Sequence, residues 1–166
     1  FETITNPQLE IVDIKQLSEI AKAHNLVLIS DTTLTPPNIF NANDFGIDIE
    51  VVSSTKAISG GATSIGGLII DYGSFDWSTI RKLKKYYPQY GYFSFNLKLR
   101  KEVFRNLGAC LSPYHAYLQS IGLETLALRF EKAASNSYAI AEFLSRQSKI
   151  SSVNYPGLEG SKFYDI

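Results

Sequence analysis

An α/β fold is predicted by three observations. One stretch has helical spacing near the start, three short apolar runs rich in branched residues lie between 26 and 72, and the last third returns to long helical spacing. In this layout ligands sit beyond the carboxyl ends of the strands, which directs attention to Asp31 and Lys56.

The elements follow in order. Apolar residues at Ile14, Leu17, Ile20 and Ala21 of "DIKQLSEIAKAH" approximate one helix face, with Asp13 placed to cap the first turn, so 13–24 is predicted helical. "LVLIS", 26–30, is nearly continuously apolar and suits a strand covered on both faces. It stops at Asp31, and the two prolines of "TLTPPN" enforce a loop. "FGIDIEVVSS" and "SIGGLIIDYG" give two more strands, bounded by Gly- and Asn-containing turns. "YYPQYGYFSF", 86–95, fits neither period and is expected to be a loop. Its aromatics Tyr86, Tyr87, Tyr90, Tyr92, Phe93 and Phe95 could line a substrate entrance, but such a cluster is more often core or interface packing, and interface is preferred. "NLKLRKEVFRNLGACL" is helical, and Ser112 with Pro113 opens another helix, expected to break near Gly122 or at Ser135 and Asn136.

The chain has 166 residues, of which 45% are hydrophobic and 19% charged, enough for one domain with its own core. Sixteen basic residues balance sixteen acidic ones, so no global field draws in nucleic acid or an anionic membrane, and a small-molecule or protein partner is favoured. A single cysteine and no uninterrupted apolar run of about 20 residues point to the cytosol. The chain opens on Phe1 and contains no methionine, as expected for a piece of a longer polypeptide. Cys110 is expected to be buried and inert, and His24 and His115 to be structural, with no metal-ligand spacing.

"VVSSTKAISGGATSIGG" carries the chemistry. Residues two apart on an extended segment share a side, so Ser53 and Thr55 would converge while Lys56 leaves by the other face or the tip. A lysine amine, with a reference pKa of about 10.4, becomes nucleophilic when burial disfavours its charged form, and a buried strand end would supply that burial. Pyridoxal phosphate (PLP) needs such a lysine, phosphate donors, and an acid on its pyridine nitrogen, a place Asp31 could fill. Alone, the Ser-Ser-Thr-Lys run is more often a solvated strand end or a plain phosphate site, and Asp31 a turn residue.

"SSTKAISGGATSIGG" resembles the lysine region of the Cys/Met metabolism PLP-dependent enzymes, a fold-type I family. "FETITNPQLEIVDIKQLSEIAKAHNLVLISDTTL" resembles that family's run from its Glu-Thr-x-x-Asn-Pro motif to the ring-binding Asp, and "GACLSPYHAYLQSIGLETLALR" its following helical segment. The likeness continues to "VNYPGLEGSKFY". It implies part of a large PLP-binding domain, a mostly parallel sheet flanked by helices. Residues 1–150 would be the C-terminal part of that domain, and 151–166 would begin the connection to a small C-terminal domain.

The resemblance also implies roles: Lys56 as the Schiff-base lysine, Asp31 as the partner of the pyridine nitrogen, Asn6 near the ring hydroxyl, and Ser53 and Thr55 as phosphate donors. "GGATSIGG" and "LGACLSP" look most like the O-acetylhomoserine sulfhydrylases of the family. This implies an amino-acid substrate, sulfide or a thiol as donor, and a homo-oligomer, a dimer of dimers, for the whole protein. The alternatives are a cystathionine γ-synthase, a cystathionine or methionine γ-lyase, or a non-catalytic α/β module with an incomplete pocket. "DTTL" departs from the family's commoner Asp-Asn-Thr. "SGGA", 59–62, stands where sulfhydrylases commonly carry Gly-Gly-His-Gly, which leaves the exact substrate open. The family's stacking tyrosine, Gly-rich phosphate loop and carboxylate-binding arginine have no counterpart among these residues. Arg129 matches a recurrent family arginine that could pair locally or with a neighbouring subunit, and is not counted in the site.

Overall fold

The computed structural model describes residues 1–166. Helix α1, Ile14–Ala23, begins where Asp13 accepts the Gln16 N–H at 3.0 Å, satisfying one of the donors a helix start leaves unpaired. It packs Ala21 beside Leu28, Ala42 and Ile47. The first strand, β1, is Ile29–Asp31, shorter and later than the apolar run suggested. Leu26 still belongs to the exit of α1, where its N–H donates to Ala21 O, and Leu28 N–H donates to the Asp48 carboxylate rather than to a strand. Nor is β1 covered on both faces: Ser30 is buried while Ile29 is exposed.

Strands β2, Ile49–Val52, and β3, Leu68–Asp71, complete a three-stranded sheet in the order β1-β2-β3. β1 and β2 run parallel, with Asp31 opposite Val51, and β3 is antiparallel to β2. On the free edge of β1, Phe1–Thr3 add a second parallel pairing, through Asp31 N–H to Phe1 O at 2.8 Å and Thr3 N–H to Asp31 O at 3.1 Å. This brings the amino-terminal segment beside the end of β1.

Glu50, in the middle of β2, is fully buried. Burying a carboxylate is costly unless its oxygens are satisfied, and here both are: Thr32 Oγ1 donates to Oε1 and Tyr72 OH to Oε2, each at 2.5 Å. Burial, reinforced by the Glu50 hydrogen bond, pushes the Tyr72 phenol well above its ordinary range and keeps it a donor.

The aromatic stretch expected as a loop is helical: α2, Tyr87–Tyr90, a 3₁₀ turn at Gly91–Phe93, α3, Ser94–Lys98, a π-helical run at Leu99–Phe104, and α4, Arg105–Leu107. No single period shows in the sequence because the helical pitch changes every few residues. Phe95 stacks on Trp77 with centroids 5.0 Å apart, and Tyr86 and Tyr87 pack on the same cluster of Ile49, Phe75, Trp77 and Leu83. Tyr92 and Phe93 are exposed.

In the π-helical run, Glu102 receives Lys98, Tyr86 and Lys85, and these draw its carboxyl down from the ordinary 4.5 to about 2. A depressed folded-state pKa contributes stability above the unfolded value and loses it as pH falls through the folded one. Acidification from about pH 4.5 to about 2 should therefore loosen this segment. Thermal melting followed across that range should fall less steeply in Glu102→Gln, by a small margin because the group is solvated.

Helix α5, Pro113–Glu124, opens as expected on Ser112, which accepts the His115 N–H at 3.2 Å. The break before α6, Leu126–Ser145, falls at Thr125, near Gly122 as expected and not at Ser135 and Asn136. The Ser135 and Ser137 hydroxyls bond back to Lys132 O and Ala133 O, so they ride on α6 without ending it. Residues 151–166 carry only turns and lie back against the start of the chain, through Asn154 Nδ2 to Gln8 O at 2.8 Å and a Lys162–Glu10 ion pair at 3.3 Å. No helix is long and apolar enough to cross a membrane.

Candidate active site

Beyond the carboxyl ends of β1 and β2 lies a cavity of about 400 Å³ lined by Glu2, Ile4, Asn6, Asp31, Thr33, Leu34, Ser53 and Lys56. Its volume falls in the range of small-ligand sites, about 300–1,000 Å³. Four of the five residues singled out from the sequence meet here: Asn6, Asp31, Ser53 and Lys56.

Each arrives by a different route. Asn6 follows the segment paired to β1, and its N–H donates to Glu2 Oε2 at 2.9 Å. Asp31 ends β1 and turns one carboxylate oxygen to the Thr33 N–H at 2.9 Å, leaving Oδ2 without a partner in the chain. Its turn-forming bond and its place in the cavity thus coexist. Ser53 and Lys56 lie just past β2, where Lys56 N–H closes a turn onto Ser53 O at 3.2 Å.

Two expectations need correction. The strand ends at Val52, so period-two alternation does not extend through Thr55, and the two hydroxyls do not converge. Thr55 Oγ1 accepts the Gly66 N–H at 2.9 Å and donates to Gly66 O at 3.2 Å, outside the cavity lining. Lys56, for the same reason, stands in a turn and is exposed rather than buried at a strand end.

Thr33 was not recognised from the sequence, yet it rivets the two sides of the site. Its N–H holds the Asp31 carboxylate while its Oγ1 accepts the Ser53 N–H at 2.8 Å. The signal was available, because an Asp before a Pro-containing loop commonly accepts the N–H two residues on, which here belongs to Thr33. Glu2 adds a second carboxylate to the lining. Elsewhere, Cys110 is exposed, contrary to expectation, in the segment that follows the left-handed Gly108 cap of α4. His24 caps α1, and no three His, Cys, Asp or Glu residues gather as metal ligands.

An amine, an unpartnered carboxylate oxygen, a side-chain amide and a hydroxyl around one cavity suit a small ligand with an electrophilic carbon, a basic ring nitrogen and anionic oxygens. All of residues 1–166 match the family described as Cys/Met metabolism PLP-dependent enzyme. The chain belongs to this family. An O-acetyl-L-homoserine sulfhydrylase of Leptospira meyeri is 39% identical over 98% of the chain and 41% of that protein. One from Corynebacterium glutamicum is 33% identical over the same shares.

The solved O-acetylhomoserine sulfhydrylase of the methionine biosynthetic pathway of Wolinella succinogenes superposes with a TM-score of 0.90 at 48% identity, covering 99% of this chain and 47% of that one. A putative O-acetylhomoserine (thiol)-lyase from Campylobacter jejuni superposes at 0.89 with 33% identity, over 99% of this chain and 44% of its own. That structure carries a pyridoxyl-lysine monophosphate. These neighbours give the fold-type I architecture expected from the sequence. The chain spans about two-fifths of the curated relatives it matches and under half of these solved chains.

Proposed function

We propose that the protein to which this chain belongs is a PLP-dependent transferase, an O-acetylhomoserine sulfhydrylase that replaces the γ-acetoxy group of its substrate with sulfide or a thiol, giving homocysteine or methionine. The observation that carries this reading is the presence of Lys56 and Asp31 in the lining of one cavity, with Asn6 and Ser53 beside them.

The residues fit PLP by their donor set. Lys56 would supply the amine that holds the cofactor and, once released from it, would move protons at the substrate's α and β carbons. Asp31 would keep a proton on the pyridine nitrogen through Oδ2, the oxygen left open while the Thr33 N–H holds Oδ1. The Asn6 amide serves the ring hydroxyl, and the Ser53 hydroxyl donates to phosphate. Thr55 serves the phosphate by turning its proton away from Gly66 O, a long bond at 3.2 Å, while keeping the Gly66 N–H. PLP, when bound, supplies the electron sink. In the net replacement the γ-carbon–oxygen bond breaks, a carbon–sulfur bond forms, and the thiol's proton leaves with acetate.

We also place the whole enzyme in the cytosol as a homo-oligomer, its isolated 166-residue piece inactive. A cystathionine γ-lyase or γ-synthase remains the second reading. "SGGA" after the lysine leaves the exact substrate open, and the chain also has a fold likeness, at a TM-score of 0.75, to the cystathionine γ-lyase of Lactobacillus plantarum. Turnover assays on the full-length protein separate the two. Release of acetate and formation of homocysteine from O-acetylhomoserine and sulfide are expected, with cystathionine cleaved at least about tenfold less efficiently in kcat/KM. Preferential cleavage of cystathionine would transfer the assignment to the lyases.

A further inference from the structure

The turn that carries Lys56 is held in shape mostly by itself. Ser59 N–H donates to Ser54 O at 2.9 Å, the Ser59 hydroxyl to Thr55 O at 2.7 Å, and Gly60 N–H to Ala57 O at 3.3 Å. Such local bonds set the curvature of the turn but not its place relative to the rest of the domain. Thr55 joins the turn to Gly66, just ahead of β3, and two bonds from farther along the chain flank the lysine. Thr33 Oγ1 takes the Ser53 N–H on the sheet side, and Arg129 Nη2 donates to Ala57 O at 2.9 Å from α6, 72 residues away.

Arg129 is itself held. The same Nη2 donates to Gly122 O at 2.7 Å, and Nε donates to Thr125 Oγ1 at 3.0 Å, so three acceptors fix the guanidinium across the α5–α6 junction. Nη2 bears two hydrogens, which makes both carbonyl bonds compatible, and the planar guanidinium presents them in a fixed fork. Beneath it Leu126 packs on Ile58 and Val52. Ala57 O is the carbonyl of the residue after the lysine, so a shift of that carbonyl rotates the backbone that aims the lysine side chain.

We propose that Arg129 is the positioning residue of Lys56: by tying Ala57 O to the α5–α6 junction it sets the depth and direction in which the lysine amine enters the cavity. The proposal rests on Lys56 being the cofactor-bearing lysine. A second consequence is that the α5–α6 junction, which contributes no residue to the cavity lining, controls the geometry within it.

Arg129→Gln and Arg129→Lys in the full-length protein test this, with Lys56→Ala as reference. In R129Q the absorbance of lysine-bound PLP should persist at saturating cofactor, but its pH midpoint should move by about half a unit or more, because an amine at a different depth has different neighbours. The kcat should fall about tenfold or more with KM changed less than about threefold, the pattern of an interaction that acts on the chemical step. R129K keeps the charge and one donor and should recover part of both effects. If R129Q does not fold, R129K alone decides by the same two readouts. A native pH midpoint and kcat in these variants, with only a lower melting temperature, would reduce Arg129 to a structural role and overturn the proposal. Retention of the absorbance in K56A would instead overturn the reading of Lys56 itself, and the proposal with it.

Discussion

Lys56→Ala, made in the full-length protein and reconstituted with PLP, is expected to lose the long-wavelength absorbance of lysine-bound cofactor and to turn over at least about 10⁴-fold more slowly, because one side chain both holds the cofactor and moves the protons. Lys56→Arg should fail almost as badly. Arginine retains the positive charge but does not lose its proton and forms no covalent link, so it separates the need for an amine from the need for a cation. The fold should be indifferent to either change. Lys56 is exposed, and the four ion pairs of the chain involve other residues. Stability should therefore stay within about 0.5 kcal/mol, the range of substitutions away from buried features. Absorbance and turnover that survive in K56A would sink the assignment, whereas a large loss of stability would show that the lysine does structural work in the folded protein.

Gly122→Ala should have the largest effect on the fold. In an ordinary helix the change stabilises by about 1 kcal/mol, because glycine is the poorer helix former. Here the added Cβ would press on Ile58 O and lie 2.6 Å from the Ser59 carbonyl carbon and 2.8 Å from its oxygen. These are backbone atoms of the lysine turn and cannot swing aside as the tip of a side chain could, so overpacking of about 3 kcal/mol should outweigh the propensity gain. Denaturant midpoints of native and G122A protein measure the net sign. A stabilised variant would mean that α5 does not approach the turn this closely. Because Gly122 O also accepts Arg129, the substitution should weaken PLP binding as well as the fold.

The same glycine shows what the sequence disclosed and what it withheld. A glycine inside a helical pattern reads as a weak point, and the helix was expected to break near it. The break does come near it, at Thr125, but Gly122 itself stays inside the helix, because its need for a missing Cβ comes from Ile58 and Ser59, far earlier in the chain. Local signals fared well where their causes are local. The Asp13 and Ser112 caps, the stop at Asp31 and the three strand regions all lie within a few residues of what determines them.

In the site, Asp31, Ser53 and Lys56 were legible as types of chemistry, while resemblance drew attention to Asn6 and implied the roles of all four. The convergence of Thr55 with Ser53 and the burial of Lys56 were misjudged, because nothing in "VVSSTK" marks Val52 as the last extended residue. The aromatic run was misjudged for a related reason: helices of three to six residues with changing pitch leave no period to detect. Arg129 drew notice by family likeness, but only the three-dimensional arrangement connects it to Ala57.

The clamp of Thr32 and Tyr72 on Glu50 bears on how such a site can change over generations. If β1 slid one residue along β2, every side chain would exchange faces: Thr32 would face the cavity, Asp31 would turn inward, and Glu50 would lose a donor inside the protein. The buried carboxylate thus acts as a key that admits one alignment of the two strands. Substitutions away from these strands can accumulate while Asp31 and Ser53, at the two strand ends, keep their mutual spacing.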